Sequence, residues 1–284
     1  MPYDPIPTCR FPGVLPLVLL SALAVSASGY AGDLPVAGDK GTAGTFIPER
    51  FGSLAQKLHD WDVMIGAGVM YRPKYEGSGE MEILPVPFVS ATLFDRLTLD
   101  PSGIGLKAYE RGPFELDVKV GYDLGRSEDD SDDLRGLGDI DAAATIGGRA
   151  SLNYGPATFF VSVDQMIGGS DGLVGKAGVE FTQPVTETII LGAGASATLA
   201  DKNYMDAYFG IDAGQAARSG HQTYKAGAGV KSIDLSVSAT YLINEDWILR
   251  GEQTLGILVG DAADSPVVKQ TLQSSSLLTL GYRF

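Results

Sequence analysis

Three short stretches of this chain carry side chains that could do chemistry. Ser219 and His221 flank Gly220, which raises the question of a lipid hydrolase. Such an enzyme needs an imidazole oriented by a polar partner beside an accessible serine. A Ser-Gly-His run in a flexible loop does not supply that, and the other histidine, His59, stands far upstream. Glu76, Glu80 and Glu82 gather behind Arg72-Pro73-Lys74 and could hold a small cation. Calcium loops need denser, regularly placed oxygens, so a turn with solvated charges is the better account. Gly136-Leu-Gly138-Asp139-Ile140-Asp141 suggests a phosphate cradle but lacks the third glycine and the helix N-terminus. A turn before a strand, with Asp139 and Asp141 capping backbone N–H groups, explains it better. No histidine pair has metal-binding spacing. The single cysteine, Cys9, falls in a segment expected to be removed, which leaves no thiol chemistry. No catalytic residue, metal or cofactor is expected.

A larger set of charges follows a rule of position. Glu115, Asp117, Lys119 and Asp123 alternate with Phe114, Leu116, Val118, Val120, Tyr122 and Leu124. A period of two is that of a strand; a helix would scatter the charges round its surface. Residues 233–243 repeat the pattern, with Ile233, Leu235, Val237, Ala239, Tyr241 and Ile243 opposing Asp234, Ser236, Ser238 and Thr240. So do 62–71 and the last strand, where Leu278, Leu280, Tyr282 and Phe284 share a face. Weaker versions occupy 84–94, 97–109, 142–154, 157–168, 173–185, 188–200, 204–212 and 247–259. Together they predict an all-β fold, an antiparallel transmembrane β-barrel of about 12 strands over 61–284, closed by the strand ending at Phe284. A midplane Lys or Arg facing lipid costs on the order of 2–4 kcal/mol. The charges therefore face the lumen: Glu115, Asp117, Lys119, Asp123, Arg149, Asp164, Lys176, Glu180, Asp234, Arg250 and Glu252. They make either a pore lining or a closed polar core of cross-strand ion pairs.

The connections are uneven. Residues 154–156, 170–172 and 244–246 read as tight turns, while 72–83, 126–140, 213–226 and 260–273 are long. Strand alternation from a periplasmic N-terminus puts 126–140 in the periplasm and the other three long connections outside. Either a strand is miscounted near 97–109, or the acidic run Glu128, Asp129, Asp130, Asp132 and Asp133 is a periplasmic contact surface for a partner. Residues 1–31 have the build of a cleaved signal peptide: Arg10, an apolar stretch interrupted by Pro12 and Pro16, then small residues. Residues 32–60 read as a flexible periplasmic lead-in with a possible short helix at Phe51, Leu54 and Leu58. A net charge of −14 argues against nucleic acid, which requires a basic face.

Several stretches together resemble a known family: Gly68-Val-Met-Tyr-Arg-Pro-Lys-Tyr-Glu-Gly-Ser78, Leu134-Arg-Gly-Leu-Gly-Asp-Ile-Asp141, Tyr208-Phe-Gly-Ile211, Ser219-Gly220 with Tyr224-Lys-Ala226, Tyr241 with Trp247, Asp261-Ala-Ala-Asp-Ser-Pro-Val-Val268, and Gly281-Tyr-Arg-Phe284. In order and spacing they are similar to the MltA-interacting protein/OmpV (MipA/OmpV) family of outer-membrane proteins. That resemblance implies a twelve-stranded barrel in the cell outer membrane. It also implies a non-enzymatic role as scaffold or adaptor for a lytic transglycosylase and a murein synthase, or as an envelope contact protein. It carries over no catalytic residues. The terminal Phe284, with Tyr282 two residues before it, resembles the address read by the barrel-insertion machinery. A narrow diffusion channel is the alternative, and a barrel lipid hydrolase the third reading.

Overall fold

The computed structural model describes residues 61–284; the expected signal peptide 1–31 and lead-in 32–60 lie outside the described residues. Twelve strands alternate up and down: β1 (Trp61–Pro73), β2 (Met81–Leu93), β3 (Leu97–Asp100), β4 (Gly103–Arg111), β5 (Phe114–Asp123), β6 (Ala143–Tyr154), β7 (Ala157–Ile167), β8 (Leu173–Pro184), β9 (Ile189–Ala200), β10 (Gly229–Leu242), β11 (Trp247–Leu258) and β12 (Leu272–Arg283). Each pairs antiparallel with its neighbours, and β1 pairs with β12 from Met64↔Arg283 to Tyr71↔Ser276, so the sheet closes on itself. The Asp62 carboxylate accepts two hydrogen bonds of 2.9 Å from the Arg283 guanidinium across that seam.

The alternation sorts the wall into two faces. Leu235 and Val237 of β10 are each 58% exposed on the outside, whereas Asp234, next to Leu235 in the same strand, is buried. A continuous belt of such side chains is unfavourable in water and at home in acyl chains. Aromatic residues gather at one rim of the belt: Tyr109 lies 6.1 Å from Phe114, and Tyr282 lies 5.2 Å from Trp247 and 4.9 Å from Phe284, between ring centres. Such girdles mark the membrane interface of outer-membrane barrels.

Two expectations about the strands fail, and their errors cancel in the count. Residues 97–109 form two strands, β3 and β4. Asp100 accepts from the Ser102 N–H at 2.7 Å, Pro101 offers no donor, and Gly103 has φ +140°, so the chain reverses there. Residues 204–212 are not a strand but chiefly a helix, α1 (Lys202–Phe209), capped by Asp201, whose carboxylate accepts from the Tyr204 N–H at 2.9 Å. Its buried residues Tyr204, Met205, Tyr208 and Phe209 recur at helical, not alternating, spacing.

The extra strand moves the 126–140 connection. It lies at the same end as the other long connections, opposite the end where β1 begins and β12 finishes. Of the two alternatives, the miscounted strand near 97–109 holds, and the periplasmic placement of the acidic run falls. That long-loop end carries residues 74–80, 124–142, 168–172, 201–228 and 259–271. The other end carries only short turns, at 94–96, 112–113, 155–156, 185–188 and 243–246. Short periplasmic turns and longer outer loops are the usual build of these barrels.

Candidate functional site

The long connections do not hang free; they pack into a cap. α1, α2 (Ala213–Ser219) and α3 (Gly260–Ala263) meet two 3-10 turns, Glu128–Asp130 and Asp132–Leu134. Tyr204, Met205, Tyr208 and Phe209 pack with Met166, Ala226, Leu258 and Ala262, and a second cluster joins Tyr75, Leu134, Leu137, Ile211 and Val267. α1 touches the whole rim. Tyr208 donates to Asp123 at the top of β5 (2.8 Å), its carbonyl accepts from buried Arg126 (2.8 Å), and the Phe209 carbonyl accepts from Ser265 (2.6 Å). An added Cβ at Gly172, in the β7–β8 turn, would meet the Tyr204 backbone at 2.7 Å. Only glycine fits under that helix.

Beneath the cap sits a buried ion pair. Lys231 Nζ lies 2.6 Å from Glu76 Oε1, with side chains 0% and 4% exposed. The Tyr204 hydroxyl donates to the other carboxylate oxygen at 3.3 Å, and the ammonium lies 5.1 Å from the Tyr204 ring centre. Burial pushes the Glu76 carboxyl up from its ordinary value, opposed by Lys231 and by the tyrosine hydroxyl. Burial, reinforced by Glu76, also raises Tyr204 well above the usual phenol, so its hydroxyl remains a donor. Counting back from Ile233 by alternation would aim Lys231 at lipid. A β-bulge between Val230 and Ser232 turns it inward instead.

The stretches that looked chemically suggestive have separate uses. Glu76, Glu80 and Glu82 each take a different cation: Lys231, Lys74 at 2.8 Å and Arg72 at 3.0 Å. No metal-binding group of carboxylates and histidines occurs among the described residues. The Gly136 and Gly138 N–H groups do cradle an anion, and it is the chain's own Glu128 carboxylate, at 2.9 Å from both. Asp139 accepts from the Glu128 N–H (2.8 Å) and the Ser127 hydroxyl (3.0 Å), which hold it below the ordinary aspartate value. Asp130 closes a capping box with Ser127, and Asp133 lies 3.6 Å from Lys269. Asp132 pairs with Arg135 at 3.1 Å on the loop's exposed side, and Asp129 is exposed. The His221 ring lies 3.2 Å from the Asp133 carbonyl, while the Ser219 hydroxyl accepts from the His221 backbone N–H. These two side chains share no hydrogen bond, so they do not form a nucleophile and its base.

Below the cap the lumen holds a cavity of about 120 Å³, lined on β6 to β12 by Arg149, Lys176, Glu180, Asp234 and Glu252, with Arg72 from β1. Five of the eleven charges assigned to the lumen meet there. Arg149 stacks on Phe160 with its guanidinium 3.9 Å from the ring centre and pairs with Glu180 at 2.8 Å; Arg250 pairs with Glu252 at 3.0 Å. The other six, Glu115, Asp117, Lys119, Asp123, Asp164 and Arg250, occupy the inner face elsewhere. Glu115 pairs with Lys107 at 2.6 Å, Asp117 stands in register with Arg149, and an added Cβ at Gly147 would strike Asp164. Sequence reasoning missed Lys107, Arg126 and the Glu76–Lys231 pair. The last two depend on the cap, which alternation does not reveal.

Similar solved structures include the COG4313 outer membrane channel from Pseudomonas putida F1, with TM-score 0.41, 8% identity, and coverage of 79% of this chain and 96% of that one. The translocator domain of autotransporter NalP from Neisseria meningitidis gives TM-score 0.39, 13% identity, and coverage of 79% and 89%. OmpT of Vibrio cholerae gives 0.36, 8%, 79% and 97%. None of these likenesses bears on function. No curated protein matches the chain. The family model described as MltA-interacting protein MipA matches residues 65–284, nearly the whole of the barrel, and the chain belongs to that family.

Proposed function

We propose that this outer-membrane barrel is a non-enzymatic scaffold that brings murein-remodelling enzymes, a lytic transglycosylase and a murein synthase, to the outer membrane. The observation that carries the reading is the packed mouth: α1 braced by the Glu76–Lys231 pair makes the barrel a rigid platform rather than an open conduit. The family description names an interaction with MltA, which supports a murein enzyme as partner. A periplasmic enzyme would meet the short-turn end. The acidic residues Glu128, Asp129, Asp130, Asp132 and Asp133 stand at the opposite end, where they suit contacts outside the cell.

Crosslinking and pull-down from intact envelopes tests this. A lytic transglycosylase should be recovered with the wild type, unchanged when 126–140 is shortened, and reduced by charge reversal at Glu187, Glu245 and Asp246 in the short turns. Failure to recover any murein enzyme counts against the scaffold. The charged cavity favours one second reading, a narrow diffusion channel. That reading predicts stepwise conductance in planar bilayers, altered by charge reversal at Asp117 or Arg250; silent bilayers remove it.

A further inference from the structure

The barrel wall is not of even height. β2 pairs with β1 along its whole length, from Trp61↔Leu93 to Pro73↔Met81, but with β3 only at Ala91, Thr92 and Leu93. The β3–β4 hairpin turns back at 101–102, so no strand pairs with residues 81–90 of β2 on that side. Two strands' width, roughly 10 Å at the usual spacing, is missing between β2 and β5 there. The hairpin tip bounds this notch below, where the Lys119 ammonium and Tyr122 hydroxyl of β5 donate to the Ser102 hydroxyl and the Pro101 carbonyl. The acidic connection roofs it, with the Ser131 hydroxyl donating to Glu80 at 3.3 Å.

The edge of β2 is built to stay unpaired. The ladder to β1 runs unbroken through Val69↔Pro85 and Ala67↔Pro87. Proline has no N–H to give a ladder, so both nitrogens must point away from β1, into the notch. Alternation sends the amides of Met81, Ile83 and Val89 the same way, and the prolines remove the two donors between Ile83 and Val89. An added peptide strand would find a gap in its hydrogen bonding where it needs continuity. The notch also lies at membrane depth. Pro85 and Pro87 stand level with Val69 and Ala67, which pair in turn with the lipid-facing Leu278 and Leu280. Ile83 and Val89 on the outer face are 69% and 57% exposed.

We propose that this notch is a lateral opening that receives the acyl chain of a membrane lipid from the bilayer, seating it along the proline edge of β2. An apolar chain is the occupant that matches the depth, the apolar flanks and the missing donors at once. Hydrocarbon needs no backbone partners, and a peptide strand does. The proposal is independent of the scaffold reading, because it concerns the wall and not the short turns.

The test uses the full chain in vesicles doped with a phospholipid carrying a photoactivatable diazirine in one acyl chain, followed by mapping of the labelled residues. The expected result is label on inward-facing Leu84, Val86 and Phe88 as abundant as on outward-facing Ile83 and Val89, with none on inward Ser236 and Ser238 across an intact stretch of wall. Label confined to outward residues overturns the opening. Label spread equally over Ser236 and Ser238 also overturns it, since the lipid would then have entered through the lumen.

Discussion

Buried charge is the feature on which single residues matter most here. Lys231, at the start of β10, is fully enclosed, and its partner Glu76 comes from the β1–β2 connection. Removing one member of such a pair leaves an uncompensated charge, which typically costs about 3–5 kcal/mol, whereas replacing both by apolar residues of similar size is often near neutral. Glu76→Gln should therefore loosen the cap strongly, read as faster proteolysis within 201–228. The double variant Glu76→Gln, Lys231→Met should recover most of the protection. Equal protection in the single variant and the wild type would show that the pair does not brace the cap. Asp139 gives a pH dependence of known sign. Its carboxyl is held below the ordinary aspartate value by the Glu128 N–H and the Ser127 hydroxyl. Its contribution to loop order is thus fully present above the unfolded value, about 3.9, and is lost as pH falls through the lower folded value. Amide exchange at Glu128 should accelerate across that acid window in the wild type, and Asp139→Ala should show the fast rate already at neutral pH.

At the scale of elements, α1 decides whether the lumen communicates with the outside. Replacing residues 202–209 by a Gly/Ser linker removes Tyr204, Tyr208 and Phe209 from the mouth and frees the backbone carbonyl at 208 from its place against Arg126. Planar bilayers that are silent with the wild type should then show conductance steps; continued silence would mean that the lower lumen is itself closed. The same helix shows where a sequence stops being legible. Period-two alternation in β5 and β10 specifies each inward and outward residue, because lipid outside and polar groups inside impose a strict rule on every position. α1 and the turn at Asp100-Pro101-Ser102-Gly103 obey other rules. Tyr204 and Tyr208, four residues apart, share a face in a strand as well as in a helix, so a short apolar run fits both until the Asp201 cap is noticed. One strand gained and one lost keeps the total at twelve while exchanging the ends of everything between. Alternation therefore puts the acidic connection at the wrong end unless the extra strand near 97–109 is counted. The Lys231 bulge is illegible for a further reason: its inward turn is fixed by Glu76, a residue of a distant connection.

The molecule as a whole is ordered by its two solvents, and neighbouring residues of one strand can be set against each other to measure the difference. Leu235 and Ser236 sit at the middle of β10. Leu235 pairs with Leu255 and Ala195 on the outer face, and Ser236 lines the cavity that also holds Glu180, Asp234 and Glu252. The same substitution at each site adds the same side chain and the same charge to the same strand, so propensity effects largely cancel. Leu235→Arg places a guanidinium at the bilayer midplane and should lower folding stability in lipid vesicles by roughly 2–4 kcal/mol. Ser236→Arg meets a polar lumen, where three carboxylates stand among Arg72, Arg149 and Lys176, and should lose much less. The asymmetry should vanish in urea-unfolded chains, and it should shrink in detergent micelles, whose apolar layer lets a long side chain reach water more easily. If the two variants lost stability equally in vesicles, the outer face would not be meeting hydrocarbon, and neither the inward charges nor the notch beside Pro85 and Pro87 would have the meaning given to them.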